Sequence, residues 1–322
     1  MRVCVTGATG FIGGALVRRL LNERATVRAL ARPSVRADAL ERLGVEVIRG
    51  DLSDPQALDR ALFGAEVVYH AAARVNSGLK EDFFRANVDG TRSLLTACAA
   101  QCIGRIVYLS SIAVYGLARN NEIIDESTPL DPGRSQRDFY AQSKIAADEL
   151  VTAFAGKTAV SIAMFRPGIV YGPGRPLPVG LLGFQLGNTA VVFGRRENRF
   201  PLNYVENLVD VIQFAARSSE TGVKSYIAID DENLTLGQYH ETRADVSRSS
   251  AIFLPNWPVT FASHFAPPGS AMSTPQVRRA LQNRHYSTQG IRQELGWSPR
   301  VPLRDAISRT VRATATTRNP SF

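Results

Sequence analysis

The chain begins with a short apolar run, Arg2–Thr6, that passes directly into Thr6-Gly7-Ala8-Thr9-Gly10-Phe11-Ile12-Gly13 and then into a helical pattern reaching Glu23. Few local sequences restrict a fold as strongly. Glycines three apart between a buried strand and a helix answer three needs: Gly7 allows the tight turn, Gly10 leaves room for a phosphate to approach the backbone, and Gly13 lets the helix pack close to the strand. The helix N-terminus then offers N–H groups and a positive dipole end to an anion. A glycine pattern alone is weak, but one that follows the first strand and opens a helix within a strand–helix–strand unit reads as a dinucleotide pyrophosphate site. Gly7, Thr9, Gly10, Phe11, Ile12 and Gly13 are its expected contacts.

The first half continues the alternation. Arg2–Thr6, Thr26–Leu30, Val45–Arg49, Ala65–His70, Arg105–Ser110 and Ala159–Phe165 are short, apolar and rich in β-branched residues, as strands buried on both faces are. Between them, Phe11–Glu23, Ser34–Leu43, Pro55–Leu62, Phe83–Gln101 and Asp138–Ala155 carry helical patterns. This order predicts an α/β fold, a doubly wound parallel sheet with helices on both faces and a ligand crevice at the carboxyl ends of the strands. Residues 1–165 form the expected dinucleotide-binding domain. Residues 166–322 read mostly as a smaller substrate lobe with elements returning to the first domain: Arg166–Gly187 as a loop entering a short helix, Thr189–Phe193 and Lys224–Ile229 as strands, and Glu206–Ala216, Leu236–Ser247 and Pro302–Ala313 as helices. Thr235 and Gln238 fit a capping box. Ile252–Ser270 is apolar, aromatic and broken by proline.

Composition narrows the class. At 44% hydrophobic and 21% charged over 322 residues the chain is ordinary for a globular protein, and no apolar run approaches the ~20 residues of a membrane helix. A strand from residue 2 leaves no room for a leader, and three sparse cysteines, Cys4, Cys98 and Cys102, form no metal or redox signature. A cytoplasmic enzyme is expected, with Cys98 and Cys102 as small packing residues. The net charge of +9 is spread over scattered arginines, which suits attraction of anionic cofactor phosphates and not a nucleic-acid surface.

The end of the second strand selects the cofactor. An enzyme for NAD(H) usually places a carboxylate there for the ribose 2′-hydroxyl. Ala31 and Arg32 stand there instead, and Arg32, with Arg36 nearby, can grip a 2′-phosphate. NADP(H) is the expected cofactor, with NAD(H) as the alternative. Asp51-Leu52 ends the third strand, where a carboxylate can accept from the adenine amino group. Ala71-Ala72-Ala73 ends the fourth, where small residues admit the cofactor.

Tyr140 and Lys144 are four apart, on one helical face about 6 Å apart. A phenol titrating near ~10 is a poor base at neutral pH, and an adjacent ammonium lowers that value. Lys144 can also hold the nicotinamide ribose. Ser111, at the end of the fifth strand, can bind a substrate oxygen with which Tyr140 exchanges a proton.

Together these pieces resemble the extended short-chain dehydrogenase/reductase family, also called the NAD-dependent epimerase/dehydratase family, nearest its hydroxysteroid dehydrogenase and dihydroflavonol reductase branch. The resemblance rests on Thr6–Gly13, Gly50-Asp51-Leu52, His70–Ala73, Asn87–Thr91, Leu109–Gly116, Tyr140–Lys144 and Arg166–Gly174, with weaker echoes at Asn203–Asp210 and Gly296–Pro299. It implies a Rossmann domain with a small C-terminal lobe, catalytic Ser111, Tyr140 and Lys144, and a structural or supporting Asn87 at the cofactor site. It also implies that Pro167, Gly168, Ile169 and Val170 lie at the nicotinamide end. A homodimer is implied as well, through the Phe83–Gln101 and Asp138–Ala155 helices.

Three departures bear on the reaction. Sugar dehydratases of the family carry Asp-Glu where this chain has Ile112-Ala113, so elimination of water is not expected. The nucleotide-sugar members' Arg-Asp-Phe stretch is replaced by Arg199–Val205. The second half carries Phe193, Phe253, Trp257, Phe261 and Phe265, which either line an apolar substrate site or form ordinary core. Three functions follow: reduction or oxidation of a hydrophobic, cyclic carbonyl or alcohol; nucleotide-sugar 4-epimerisation, with Arg175, Arg195, Arg196 and Arg199 on the diphosphate; or a dinucleotide sensor without chemistry.

Overall fold

The computed structural model describes residues 1–75, 78–116, 122–218, 221–266 and 272–318. In chain order the elements are β1 (Arg2–Thr6), α1 (Phe11–Asn22), β2 (Thr26–Ala31), α2 (Val35–Arg42), β3 (Glu46–Arg49), α3 (Pro55–Leu62), β4 (Val67–His70), α4 (Lys80–Phe84), α5 (Gly90–Ala100) and β5 (Arg105–Leu109). They continue with β6 (Ile123–Ile124), α6 (Phe139–Ala155), β7 (Ser161–Pro167), β8 (Ile169–Tyr171), β9 (Gly183–Leu186), β10 (Thr189–Phe193), β11 (Leu202–Tyr204), α7 (Val205–Ala216) and β12 (Val223–Ala228). The last are α8 (Leu236–Ser247), β13 (Ser250–Leu254), α9 (Trp257–Ser263), α10 (Thr274–Leu281), β14 (His285–Tyr286), α11 (Gln289–Glu294) and α12 (Leu303–Arg318).

The chain forms two compact units. The first comprises Met1–Val114, Phe139–Arg166 and Val209–Tyr226. It is built on a seven-stranded sheet in the order β12-β7-β5-β4-β1-β2-β3, in which β1 to β5 and β7 pair in parallel. Strand order reverses at β1, between β2 and β4, which is where a doubly wound sheet opens its crevice. Val3, Cys4, Val5, Val68, Ile106 and Met164 are fully or almost fully buried in this unit, and α3, α5 and α6 cover one face through Leu58, Leu62, Leu94, Cys98, Ala147 and Val151. Cys102 departs from the packing role expected of it: it is exposed just past α5, with φ of +52°.

The second unit comprises Tyr115–Asp138, Pro167–Leu208 and the chain from Ile227. Here β10 pairs antiparallel with β9 and parallel with β13, over a core that includes Tyr171, Val192, Phe200, Tyr204, Tyr239 and Ile307. The expected capping box of α8 forms, Thr235 Oγ1 accepting from the Gln238 amide at 3.2 Å and Gln238 Oε1 from the Thr235 amide at 2.9 Å. Arg166–Gly187 holds no helix. The β-branched pair Ile169-Val170 forms β8 against β11, and β9 reaches β10 through the two-residue turn Gly187-Asn188, with Gly187 at φ of +55°. Ile252–Ser270 resolves into the end of β13 and α9, while its residues 267–270 lie outside the described ones.

Candidate active site

The glycine loop is fitted to its surroundings atom by atom. Gly7 has φ of +73°, and a Cβ there would lie 2.5 Å from backbone atoms of Ala71 and Ala72 at the end of β4. A Cβ on Gly13 would overlap the Gly7 carbonyl. The Gly10 amide donates to that carbonyl at 2.9 Å, and no side chain caps α1 at Gly10. Gly10 itself is exposed. A close-walled glycine loop opening onto a helix N-terminus presents the positive dipole end that suits a pyrophosphate, so these residues fit the dinucleotide.

Around it stand the strand ends. Arg32 is exposed after β2, and Arg36 at the start of α2 reaches the Thr9 carbonyl at 3.5 Å. Asp51 Oδ1 accepts from the Ser53 amide at 2.8 Å and from its hydroxyl, and these bonds, with a smaller effect from Arg32, hold the carboxyl below its usual range. Leu52 packs inward, where a Cβ on Gly90 would meet its Cδ1 at 2.9 Å. Ala71 and Ala72 are half-buried and Ala73 is exposed.

Asn87 sits in a feature the sequence did not announce. Between α4 and α5 the chain forms a π-helical turn, Arg85–Asp89, a local widening often found at functional sites. Asn87 uses that position to clamp the irregular segment that follows Ala73: its Oδ1 accepts from the Arg74 amide at 2.7 Å and its Nδ2 donates to the Arg74 carbonyl at 3.0 Å. Nδ2 also donates to Ser143 Oγ at 2.8 Å, and Ser143 donates to the Tyr140 carbonyl at 2.8 Å. One amide thus ties the segment after β4 to the turn of α6 that carries Tyr140 and Lys144.

Ser111 lies just past β5, half-buried, its Oγ accepting from the Ala113 amide at 3.1 Å. Tyr140 is half-buried in the first turn of α6, and Lys144 is 2% exposed. Lys144 Nζ donates to the Leu109 carbonyl at 2.7 Å and to Tyr108 Oη at 3.4 Å, and stands 4.9 Å from the Tyr108 ring centroid. Burial pushes the ammonium down to about 8, and the Asp148 carboxylate opposes that shift. The first unit therefore contains all three expected catalytic residues, together with every expected cofactor contact up to Asn87.

A buried network supports them. Asp148, one turn beyond Lys144, accepts from Ser110 Oγ at 2.5 Å and from Arg166 Nε at 3.1 Å. Burial raises its carboxyl, and Arg166 resists the rise. Tyr108 is held protonated by burial and by Asp148. His70 hydrogen-bonds Thr6 Oγ1 at 2.7 Å and Thr91 Oγ1 at 2.9 Å, and burial, reinforced by Lys144, brings its imidazole down to about 3. The spacing of Tyr140, Lys144 and Asp148 was the available sequence signal for the carboxylate.

In the second unit, Pro167-Gly168 leads into β8. A Cβ on Gly168 would overlap the Pro201 carbonyl, which accepts from the Ile169 amide at 2.8 Å. Ile169 and Val170 are half-buried. Two of the four arginines considered for a diphosphate are engaged elsewhere: Arg196 pairs with Glu241 at 2.6 Å and lies 5.0 Å from the Phe253 ring, and Arg199 donates to Asn233 Oδ1 at 2.6 Å and to the Glu232 carbonyl. The five aromatics divide, with Phe253 packed against the core of the second unit. Phe193 and Phe253 are half-buried, and Trp257, Phe261 and Phe265 are largely exposed.

Sequence comparison matches residues 3–228 to the NAD dependent epimerase/dehydratase family. A Synechocystis sp. protein named as a candidate dihydroflavonol 4-reductase is 31% identical over 95% of this chain and 92% of its own length. The 2-alkyl-3-oxoalkanoate reductase of Stenotrophomonas maltophilia is 29% identical over 96% of this chain and 98% of its own. Among solved structures, the Thermus thermophilus UDP-glucose 4-epimerase complex with NAD superposes with a TM-score of 0.74 over 98% of this chain and 99% of that one, at 24% identity, a likeness of fold.

Proposed function

Since the chain belongs to the NAD dependent epimerase/dehydratase family, and is an enzyme of that family, we propose that it interconverts a hydrophobic, cyclic ketone and its alcohol with NADP(H). The observation that carries this reading is the Lys144 ammonium, buried and tied to the Leu109 carbonyl two residues before Ser111, with Tyr140 one turn back on the same helix. When bound, the dinucleotide supplies or takes up the hydride. Ser111 Oγ holds the substrate oxygen by a hydrogen bond. Tyr140 gives that oxygen its proton during reduction and removes it during oxidation, and the nearby ammonium of Lys144 favours the phenolate that remains. Ile112 and Ala113 supply no acid or base for eliminating water.

Arg32 and Arg36 support the preference for a 2′-phosphate. Substrate apolarity draws support from the reductase names of the two relatives, one of which carries an alkyl-substituted substrate in its name. The engagement of Arg196 and Arg199 within the second unit counts against a diphosphate ligand there. Calorimetric titration of UDP, GDP and dTDP into the NADP⁺-saturated protein tests the reading. No heat of binding is expected from any of the three. Saturable binding of one of them overturns the apolar-substrate assignment in favour of nucleotide-sugar epimerisation.

A further inference from the structure

Residues 246–291 contain no aspartate or glutamate. At the chain's average of 29 acidic residues in 322, a stretch of that length would hold about four. It does hold Arg248, Arg278, Arg284, His264 and His285, and also Arg279, which is buried against Asp131 and adds no surface charge. The same stretch carries three largely exposed aromatic residues. Trp257 and Phe261 lie one turn apart on α9 and are 71% and 64% exposed, and Phe265, 77% exposed, follows in the next turn. The Phe261 and Phe265 rings meet edge to face at 5.4 Å. The opposite side of α9 is the anchored one: Val259 and Ser263 are buried, and Ser263 Oγ bonds Thr274 Oγ1 of α10 at 3.2 Å. Between α9 and α10 lies a recess of about 370 Å³ lined in part by Thr260, His264, Val277 and Arg278, with His264 and Arg278 both exposed.

We propose that α9 and the turn after it form a membrane-docking surface that seats Trp257, Phe261 and Phe265 at the headgroup level of an anionic phospholipid bilayer, with Arg278 and His264 facing the lipid phosphates. Amphipathic aromatic rings settle at the boundary between headgroups and acyl chains. An interfacial helix needs an apolar face beside cationic groups, and a negative leaflet attracts such a surface. The lack of any carboxylate in this stretch means that α9, α10 and the turn after α9 add no repulsion of their own toward an anionic surface. A second copy is the poorer fit, because a two-fold contact places the same patch on both sides and sets like charges against each other. An apolar ligand alone is poorer too, since ligand sites bury what they bind in a concavity and these three side chains are mostly exposed. The inference stands apart from the hydride chemistry. The helix does not cross the bilayer, and no helix among the described residues is long and apolar enough to do so.

The test is co-sedimentation of the full chain with vesicles of phosphatidylglycerol and phosphatidylcholine, and with phosphatidylcholine alone, at low and high salt. Trp257 is read by quenching from brominated lipid. The chain's other tryptophan, Trp297, is 5% exposed and reports that each variant is folded. Binding to the anionic vesicles, weakened by salt and accompanied by Trp257 quenching, is expected. Replacing Trp257, Phe261 and Phe265 together by serine should lower partitioning about tenfold or more. Arg278→Glu should weaken binding to anionic vesicles and leave the weak phosphatidylcholine binding unchanged. Absence of vesicle binding, or binding that the triple serine variant retains, overturns the proposal. So does an oligomer in solution that the triple variant dissociates, which would assign the patch to a second copy.

Discussion

Lys144 Nζ lies 2.7 Å from the carbonyl oxygen of Leu109, and so fastens α6 to the strand end that leads into Ser111. The contact, together with the Tyr108 hydroxyl and ring, replaces part of the water that a 2%-exposed ammonium has lost. Replacement is incomplete, since burial brings Lys144 down to about 8. A mechanism that needs the ammonium then slows as pH rises through that value. The pH dependence of kcat for reduction, measured at saturating NADPH, should fall above pH 8. Lys144→Met should lower kcat by about 10²–10⁴-fold at neutral pH.

Asp148 and Arg166 are buried together, their side chains 0% and 7% exposed. Removing the carboxylate with Asp148→Ala takes from the buried guanidinium the anion that its Nε bonds, a loss of about 3–5 kcal/mol for a buried pair. Asp148→Asn keeps an acceptor for Ser110 and Arg166 and should cost less. Urea denaturation of the two variants measures the difference.

Gly13→Ala forces apart the Gly7 carbonyl and the first turn of α1, because the added methyl has no space. Affinity for the dinucleotide should fall at least about tenfold, in line with the close strand–helix approach that phosphate binding requires. Titration of protein fluorescence with NADPH reads the loss, and an unchanged Kd would detach the loop from cofactor binding.

Arg32→Asp places a carboxylate where a 2′-phosphate is expected to lie. The ratio of NADPH to NADH affinity should fall by at least about tenfold through lost pairing and new repulsion. An unchanged ratio would leave Arg32 a solvated surface residue.

What could be read in advance followed the range of the interactions involved. The glycine loop was legible because its constraints are local: a turn at Gly7 and contacts six residues away at Gly13. Tyr140 and Lys144 were legible because helical spacing alone puts them on one face. The network of Tyr108, Ser110, Asp148 and Arg166 was not singled out, because it brings β5, α6 and β7 together through tertiary packing that no short motif encodes. The π-helical turn at Asn87 was hidden inside a continuous helical pattern. In Arg166–Gly187, abundant proline and glycine suggested a loop and helix, whereas Gly187-Asn188 is a two-residue hairpin signal and Ile169-Val170 a β-branched run. The aromatics of α9 were misjudged as possible core because composition carries no information on which face a short helix turns outward.

The most direct measurement is the rate of NADPH consumption with a panel of apolar cyclic ketones, compared between the native enzyme and Tyr140→Phe, with NADPH affinity measured for both. The account predicts net, stoichiometric oxidation of NADPH by the native enzyme, its loss in Tyr140→Phe, and unchanged NADPH binding. Full turnover in Tyr140→Phe would contradict the assigned proton transfer and, with it, the account of the site.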